Sequence, residues 1–275
     1  MGAVALVALA TTGCGKDADP PDLAKSLREG AQLSSAAPSL RLSFNAVIDD
    51  KLQAHTEFAG VPNGDGSGVV QNSEHDVAFL VVRDDFYLAP TDLPAGKKWI
   101  GLSPSELASI GIVSSSGDER DPQQALGLLG AARNPVETIG TESLAGVATT
   151  HYRCTIDVKA LVTQTSSPFT ADGATRLSGL LGDAAVIDAW LGDDGRIHRI
   201  RYGVDLTKSP ARPDGFPATG RLAYQYDFSD YGRPFPVEAP SPDAEMTLAE
   251  YKELHPETPG VTGNPAASTT TTLPS

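Results

Sequence analysis

The chain has 275 residues, 40% of them hydrophobic, so it is long enough for one large domain or two small ones and too apolar to be disordered throughout. Its formal net charge is -14, from 35 acidic and 21 basic residues, and the basic residues form no cluster. This charge opposes binding to phosphate backbones and to anionic lipid head groups, so we expect no nucleic-acid partner.

The first feature along the chain is a short apolar segment, Ala3 to Ala10, followed by small residues and then by Cys14. This order resembles the lipobox of bacterial secreted lipoproteins, in which the cysteine sulfur is acylated. Two details differ from the usual signal, because Thr11 stands where Leu is common and the segment before it contains no Lys or Arg. A plain secretory signal, or a core segment that happens to contain a cysteine, is the alternative.

On the lipobox interpretation, residues 1–14 are a signal peptide that ends at the lipidated Cys14, and residues 15–22 are a tether. No later stretch reaches the ~18 apolar residues of a membrane-spanning helix. We therefore predict a protein that is lipid-anchored at the extracytoplasmic face of a cell membrane.

The N-terminal half of the chain predicts one helix and a series of strands. Apolar residues recur at helical spacing over Pro21 to Ala37, and Pro38 ends this helix. The period then changes to two over Leu40 to Ile48 and Leu52 to Phe58, which predicts an antiparallel hairpin with one apolar and one solvated face. Further strands are expected at 68–71, 77–83, 86–88 and 99–102.

Helical patterns interrupt the strands later in the chain. They cover Ser103 to Gly111, Pro122 to Arg133 and Ala171 to Leu181. Alternating strands are predicted at 136–142, 147–158, 185–191, 197–206 and 221–228. About ten strands thus have one apolar and one polar face, with three or four helices among them.

A single sheet that covers helices with its apolar face is the simplest arrangement of these elements. The predicted fold class is α+β, with a half-open, strongly curved antiparallel sheet wrapped around helices. We assign residues 23–250 to this single domain. Residues 251–275 form a Pro- and Thr-rich tail that we expect to be disordered.

The chain contains no recognisable catalytic motif. There is no Gly-x-Ser-x-Gly elbow, no glycine-rich phosphate loop, and no paired His or Cys motif for a metal. His55 and His151 fall on polar strand faces, and Asn63 to Ser67 alternates like a calcium loop but has no bidentate Glu at the required distance. We predict no enzymatic activity, no cofactor and no metal site.

Once Cys14 is lipidated, Cys154 has no disulfide partner, and its place on an apolar strand face predicts a buried, inert thiol.

Several short segments occur in an order that resembles a known family. They are Gly140-Thr141-Glu142 with Gly146 and Tyr152, the strand Val186 to Leu191 ending at Asp193 and Gly195, and Asp230-Tyr231-Gly232 before Pro234. Over roughly Asp22 to Leu248, this order is similar to the actinobacterial LppX and LprG type of lipoprotein, related to the LolA-like carriers. The resemblance implies a half-open barrel around helices, with an apolar cavity on its concave side that holds the acyl chains of lipids or glycolipids.

An apolar cavity would arise if the helices cover the sheet incompletely, and acyl chains need no directed polar group there. The residues predicted to line it are Phe44, Phe58, Phe79, Ile110, Leu126, Leu129, Tyr152, Ile200 and Tyr224. In the alternative, the helices cover the sheet completely and these residues are ordinary core residues. The alternating pattern predicts that a side chain is buried but does not show whether protein or ligand covers it, so the sequence leaves both possibilities open.

The predicted function is to bind or transport a lipid or lipidated glycan in the cell envelope. The alternative is a non-catalytic sensory or scaffolding module that binds a protein partner in the cell envelope.

Overall fold

The computed structural model describes residues 22–61, 65–72, 76–83, 85–109, 122–163, 171–211 and 217–256. The predicted signal, Cys14, the tether up to residue 21 and the tail from residue 257 lie outside these ranges. Within the described ranges, the helices are α1 (Leu23–Ser35), α2 (Pro104–Ser109), α3 (Pro122–Leu128), α4 (Val158–Thr163), α5 (Ala171–Leu181) and α6 (Leu248–Leu254).

Twelve strands form one sheet. They are β1 (Leu40–Ile48), β2 (Lys51–Gly60), β3 (Gly66–Asn72), β4 (Asp76–Val82), β5 (Asp85–Ala89), β6 (Trp99–Leu102), β7 (Ala132–Leu144), β8 (Val147–Asp157), β9 (Ala184–Gly192), β10 (Ile197–Asp205), β11 (Arg221–Ser229) and β12 (Glu245–Thr247). Their order is β12-β6-β5-β4-β3-β2-β1-β11-β10-β9-β8-β7, so the sheet is open, with β12 and β7 at its edges. All neighbours are antiparallel except β12 and β6. The predicted fold class, an α+β protein with a strongly curved, open antiparallel sheet, is confirmed.

Two consecutive antiparallel series make up most of the sheet, β1 to β6 and β7 to β11. They join where β1 pairs with β11, from Arg41 opposite Ser229 to Ile48 opposite Leu222. The β1–β2 hairpin turns at Asp49 and Asp50, which both have positive φ angles, 48° and 62°, as its tight turn requires. The Asp49 side chain also accepts a hydrogen bond from the Arg221 N–H at 2.8 Å, so the turn is tied to β11.

Helix α1 packs against the face of the sheet that carries the apolar residues, which we call the inner face. Its first turn is capped by Asp22, whose side chain accepts a hydrogen bond from the Lys25 N–H at 3.0 Å. This backbone hydrogen bond is the main reason why the pKa of Asp22 lies below its usual value. The helix buries Ala24, Leu27 and Ala31.

Several predicted boundaries are wrong, among them the start of β7, which was expected at residue 136 and lies at Ala132. The helix expected over Pro122 to Arg133 ends at Leu128, followed by one turn of 3-10 helix, because Ala132 already pairs with Ile156 in the sheet. The strand expected up to residue 158 ends one residue earlier, because Asp157 accepts a hydrogen bond from the Ala160 N–H at 2.7 Å and begins α4.

The domain also extends past its predicted end at residue 250. Strand β12 precedes helix α6, and the sequence prediction contained neither element. A capping box begins α6, in which the Thr247 side chain accepts a hydrogen bond from the Glu250 N–H and the Glu250 side chain accepts one from the Thr247 N–H. Tyr251 of α6 is buried and donates its hydroxyl hydrogen to the Asp92 carboxylate at 3.0 Å. The last turn of α6 is therefore part of the folded domain and not of the tail.

Candidate functional site

Cross-strand pairing places the apolar residues of eight neighbouring strands on one continuous row of the inner face. The row runs from β11 to β12 through Phe228, Leu42, Phe58, Gly68, Phe79, Leu88, Ile100 and Met246. A second row lies beside it, through Ile200, Tyr226, Phe44 and Thr56. The inner face is therefore a continuous and mostly apolar surface across the junction of the two strand series.

The buried residues of this face form two clusters. The larger cluster lies on β1 and β8 to β11 together with α1 and α3, and the smaller one lies on β4 to β6 with α2, β12 and α6. Phe58 is partly buried and packs against both clusters. It is the side chain that joins them.

The structure brings most of the predicted cavity residues to the inner face. Phe44, Leu126, Leu129, Ile200 and Tyr224 are buried members of the larger cluster, Tyr152 packs against it, and Phe79 belongs to the smaller cluster. Ile110 lies outside the described residues. Leu126 and Leu129 come from α3 and the turn after it, so they cover the sheet rather than form its face.

Three phenylalanines are stacked on the inner face at β2, β4 and β5. The rings of Phe58 and Phe79 are 6.4 Å apart with 8° between their planes, and those of Phe79 and Phe86 are 5.8 Å apart at 5°. Strand β3 lies between β2 and β4 and has glycine where the rings meet, because a Cβ on Gly68 would lie 2.6 Å from Phe79. The glycine of β3 thus makes room for the aromatic stack.

Four further aromatic rings lie on β1, β10 and β11. Phe44 contacts Tyr226, with ring centroids 4.9 Å apart, and Tyr224, at 5.9 Å. Tyr202 contacts both tyrosines, and its hydroxyl is 3.3 Å from that of Tyr226. These rings bury each other and leave hydroxyl groups inside an otherwise apolar surface.

The described helices pack near the two ends of the inner face. Helices α1, α3 and α4 lie against strands β7, β9 and β10, whereas α2 and α6 lie against β6 and α6 also against β12. Between these two groups lies the part of the face that carries both aromatic groups, which we call the central inner face. It consists of Phe44, Thr56, Phe58, Val77, Phe79, Phe86, Tyr224 and Tyr226. Phe58, Val77 and Phe86 are only partly buried there.

A polar cluster that the sequence did not predict closes the end of the β9–β10 hairpin. Tyr231 donates its hydroxyl hydrogen to the Ile197 carbonyl, and its ring meets His198 edge-on at 5.7 Å. Burial is the main reason why the pKa of Tyr231 is far above its usual value. Arg196 lies over the same ring at 5.5 Å. Two of the segments that carry the family resemblance, the turn after β9 and Asp230 to Gly232, therefore meet in space.

The carboxylate of Asp194 belongs to this cluster. It accepts hydrogen bonds from the Arg196 N–H at 3.0 Å and lies 3.1 Å from the His198 ring. Partial burial raises the pKa of Asp194, but these hydrogen bonds and the nearby Arg196 and His198 side chains outweigh it and hold the pKa below its usual value. The cluster is a set of structural contacts between two turns.

The outer face is polar, as the alternation predicts. His55 and His151 lie on it, and their ring nitrogens are 3.1 Å from Glu57 and 3.2 Å from Asp188. Trp190 is buried beneath this layer, stacked on His151 with centroids 4.0 Å apart.

On the inner face, Cys154 is 2% exposed, and burial raises the pKa of its thiol to about 11. Its predicted burial is confirmed.

A shallow groove of about 470 Å³ opens beside the start of β1. Most of the side chains that line it are apolar. The residues that line it are Pro38, Ser39, Gly60, Val61, Gly232, Pro234, Phe235 and Pro236.

Within the described ranges, no group of three acidic, His or Cys side chains is arranged to hold a metal ion, and no helix there has the length and hydropathy to cross a bilayer.

Comparisons with known proteins find similarities of low sequence identity. No family model matches the sequence. A Streptomyces griseus protein, described as an uncharacterized 31.2 kDa protein in the rplA-rplJ intergenic region, is 29% identical over 195 residues. The match covers 66% of this chain and 59% of that protein, so it spans less than two thirds of the relative.

Two solved structures are of the lipoprotein type that the sequence resembles. LprF from Mycobacterium bovis is 15% identical with a TM-score of 0.49, and the match covers 81% of this chain and 98% of that one. Lipoprotein LppX from Mycobacterium tuberculosis is 18% identical with a TM-score of 0.45, over 78% of this chain and 98% of that one. At such identities and scores, no ligand or partner is transferred from them to this chain.

Proposed function

We propose that this protein is an envelope lipoprotein of the LppX and LprG type, with a LolA-like fold, which binds the acyl chains of a lipid or lipidated glycan on its central inner face. The observation that carries this proposal is the position of partly buried aromatic side chains between two groups of helices. Phe58 and Phe86 lie on a continuous apolar surface and retain exposed area there.

The chemistry of the central inner face suits acyl chains. Apolar area removed from water contributes roughly 25 cal/mol per Å², so a chain that covers partly exposed phenylalanine and valine side chains gains affinity without any directed polar contact. The aromatic stack of Phe58, Phe79 and Phe86 offers flat surfaces along three strands. A carrier of this kind needs neither a cofactor nor a reaction centre.

Anchoring is the second part of the proposal. Cys14 would hold the protein at the extracytoplasmic face of the membrane, where acyl chains are available to load. The formal charge of -14 opposes spreading of the domain over an anionic surface and favours a domain that stands away from it on its tether.

Native mass spectrometry of the full chain tests the proposal. We expect a population of the folded protein to carry an added mass of lipid size, which is released when the protein is unfolded and is identified in the organic extract. The variant Val77→Trp fills the central inner face and should therefore reduce the lipid-bound population. A wild-type protein that carries no lipid, and takes up none from mixed lipid micelles after delipidation, contradicts the proposal.

A further inference from the structure

One hydroxyl on the central inner face has no hydrogen-bond partner. Thr56 of β2 is 4% exposed, and its Oγ1 atom is buried without a donor or acceptor among the described residues. A buried hydroxyl without a partner destabilises a protein, because its hydrogen bonds to water are lost and not replaced. Thr56 therefore differs from the apolar residues around it in a way that core packing does not explain.

The other buried serine and threonine hydroxyls of the described residues all have a hydrogen-bond partner. Ser34 donates to the Gly30 carbonyl at 2.7 Å, Ser39 donates to the Arg233 carbonyl at 2.6 Å, and Thr149 donates to the Glu142 carbonyl at 2.8 Å. Among the serines and threonines that are buried in the described ranges, Thr56 alone lacks such a bond. The fold thus satisfies hydroxyl groups elsewhere and leaves this one free.

The surroundings of Thr56 are apolar and partly small. It lies opposite Phe44 of β1, between Ala54 and Phe58 on the same face of β2. Ala54 is itself opposite Ala46, so two methyl side chains lie next to the hydroxyl. Thr56 is consequently a hydroxyl without a partner among rings and methyl groups, at the junction of the two strand series.

We propose that the Thr56 hydroxyl is a ligand-binding group that donates a hydrogen bond to the ester carbonyl of an acyl-glycerol lipid held on the central inner face. This inference rests on the proposed function and narrows it to lipids whose ester linkage enters the protein. A bare hydrocarbon chain would leave the hydroxyl unsatisfied, whereas an ester carbonyl offers an acceptor and carries apolar chains on both sides of it.

The test compares two probes on the delipidated full-length protein, namely dioleoylglycerol, which has ester linkages, and the dialkylglycerol ether of the same chain length, which has no carbonyl. We expect wild type to bind the ester about threefold to tenfold more tightly than the ether, the range that one net hydrogen bond supplies. Thr56→Val keeps the shape and removes the hydroxyl, so it should abolish this preference. Thr56→Ser should retain it.

Thermal unfolding of the lipid-free protein provides a second measurement. Thr56→Val should leave the Tm unchanged or raise it, because it removes a hydroxyl that has no partner. The matched control is Thr149→Val, which removes a hydroxyl that donates at 2.8 Å on the outer face and should lower the Tm. A clear fall in Tm for Thr56→Val would mean that the hydroxyl already has a partner, such as a bound water, and would overturn the inference.

The binding results separate this inference from the proposed function. If wild type binds ester and ether probes equally and Thr56→Val changes neither, lipid binding stands and the role of Thr56 is overturned. If wild type binds neither probe, the proposed function fails and the inference fails with it. Tight ester binding by wild type together with its selective loss in Thr56→Val supports both.

Discussion

The same large side chain introduced at two positions of the inner face should have opposite effects if the central inner face receives lipid. Leu129 is 0% exposed and packs within the larger cluster beneath α1. Val77 is partly buried on β4 and packs only at the margin of the smaller cluster. We therefore compare Leu129→Trp with Val77→Trp.

The expected magnitudes follow from packing. Overpacking a closed core typically costs ~1 to 3 kcal/mol. For a domain of this size, each kcal/mol shifts the Tm by about 2 to 4 °C, so Leu129→Trp should lower the Tm by about 2 to 12 °C. Val77 retains exposed area, so Val77→Trp should change the free energy of unfolding by no more than ~0.5 kcal/mol, as partly exposed positions usually do.

Differential scanning calorimetry measures the Tm of each variant, and native mass spectrometry measures its lipid occupancy. We expect Val77→Trp to keep the wild-type Tm and lose lipid, and Leu129→Trp to lose stability first. If Val77→Trp lowers the Tm as much as Leu129→Trp does, the central inner face is filled core and the reasoning is wrong. If Leu129→Trp leaves the Tm unchanged, the open space lies beneath α1 instead.

Three further predictions concern the anchor, the thiol and the hairpin contact. Cys14→Ala should leave an unprocessed precursor or release the protein into the medium, and membrane fractionation at the wild-type mature mass would refute lipidation. Cys154 should resist alkylation at pH 8 in the folded protein and react after unfolding, since its pKa is raised to about 11 and it is buried; rapid native labelling would disprove this. Tyr231→Phe removes the hydroxyl that donates to the Ile197 carbonyl and should lower stability by ~1 kcal/mol, a fall in Tm of about 2 to 4 °C, whereas Tyr251→Phe, whose partner Asp92 is solvated, should cost less.

Alternation predicted the strands well because each strand has one face against the core and one in water. The bounds of β1 and of α5 agree with the sequence prediction residue for residue. A period of two is a local property of strands that are solvated on one side, so it can be read without knowing the partner strand. The same holds for the burial of Cys154 between two other inward residues of β8.

The sequence could not predict the contacts that depend on distant partners. Strand β12 has three residues and exists because Met246 lies beside Ile100 of β6, far away along the chain. The role of Tyr231 depends on its contact with the end of the β9–β10 hairpin, which no local pattern encodes. Thr56 looked like an ordinary inward strand residue, and only its missing hydrogen bond distinguishes it.

The position of the central inner face explains why binding and stability should be coupled in this fold. Each of the two strand series is built from hairpins between neighbours in sequence, but the series are joined through the β1–β11 pair, whose partners are far apart in the chain. Phe44 and Tyr224 cross that junction, and Phe58 links the clusters on its two sides. A ligand that covers the exposed part of Phe58 contacts the side chain that links the two clusters, so it should stabilise the junction in proportion to the area it buries and raise the Tm with its concentration.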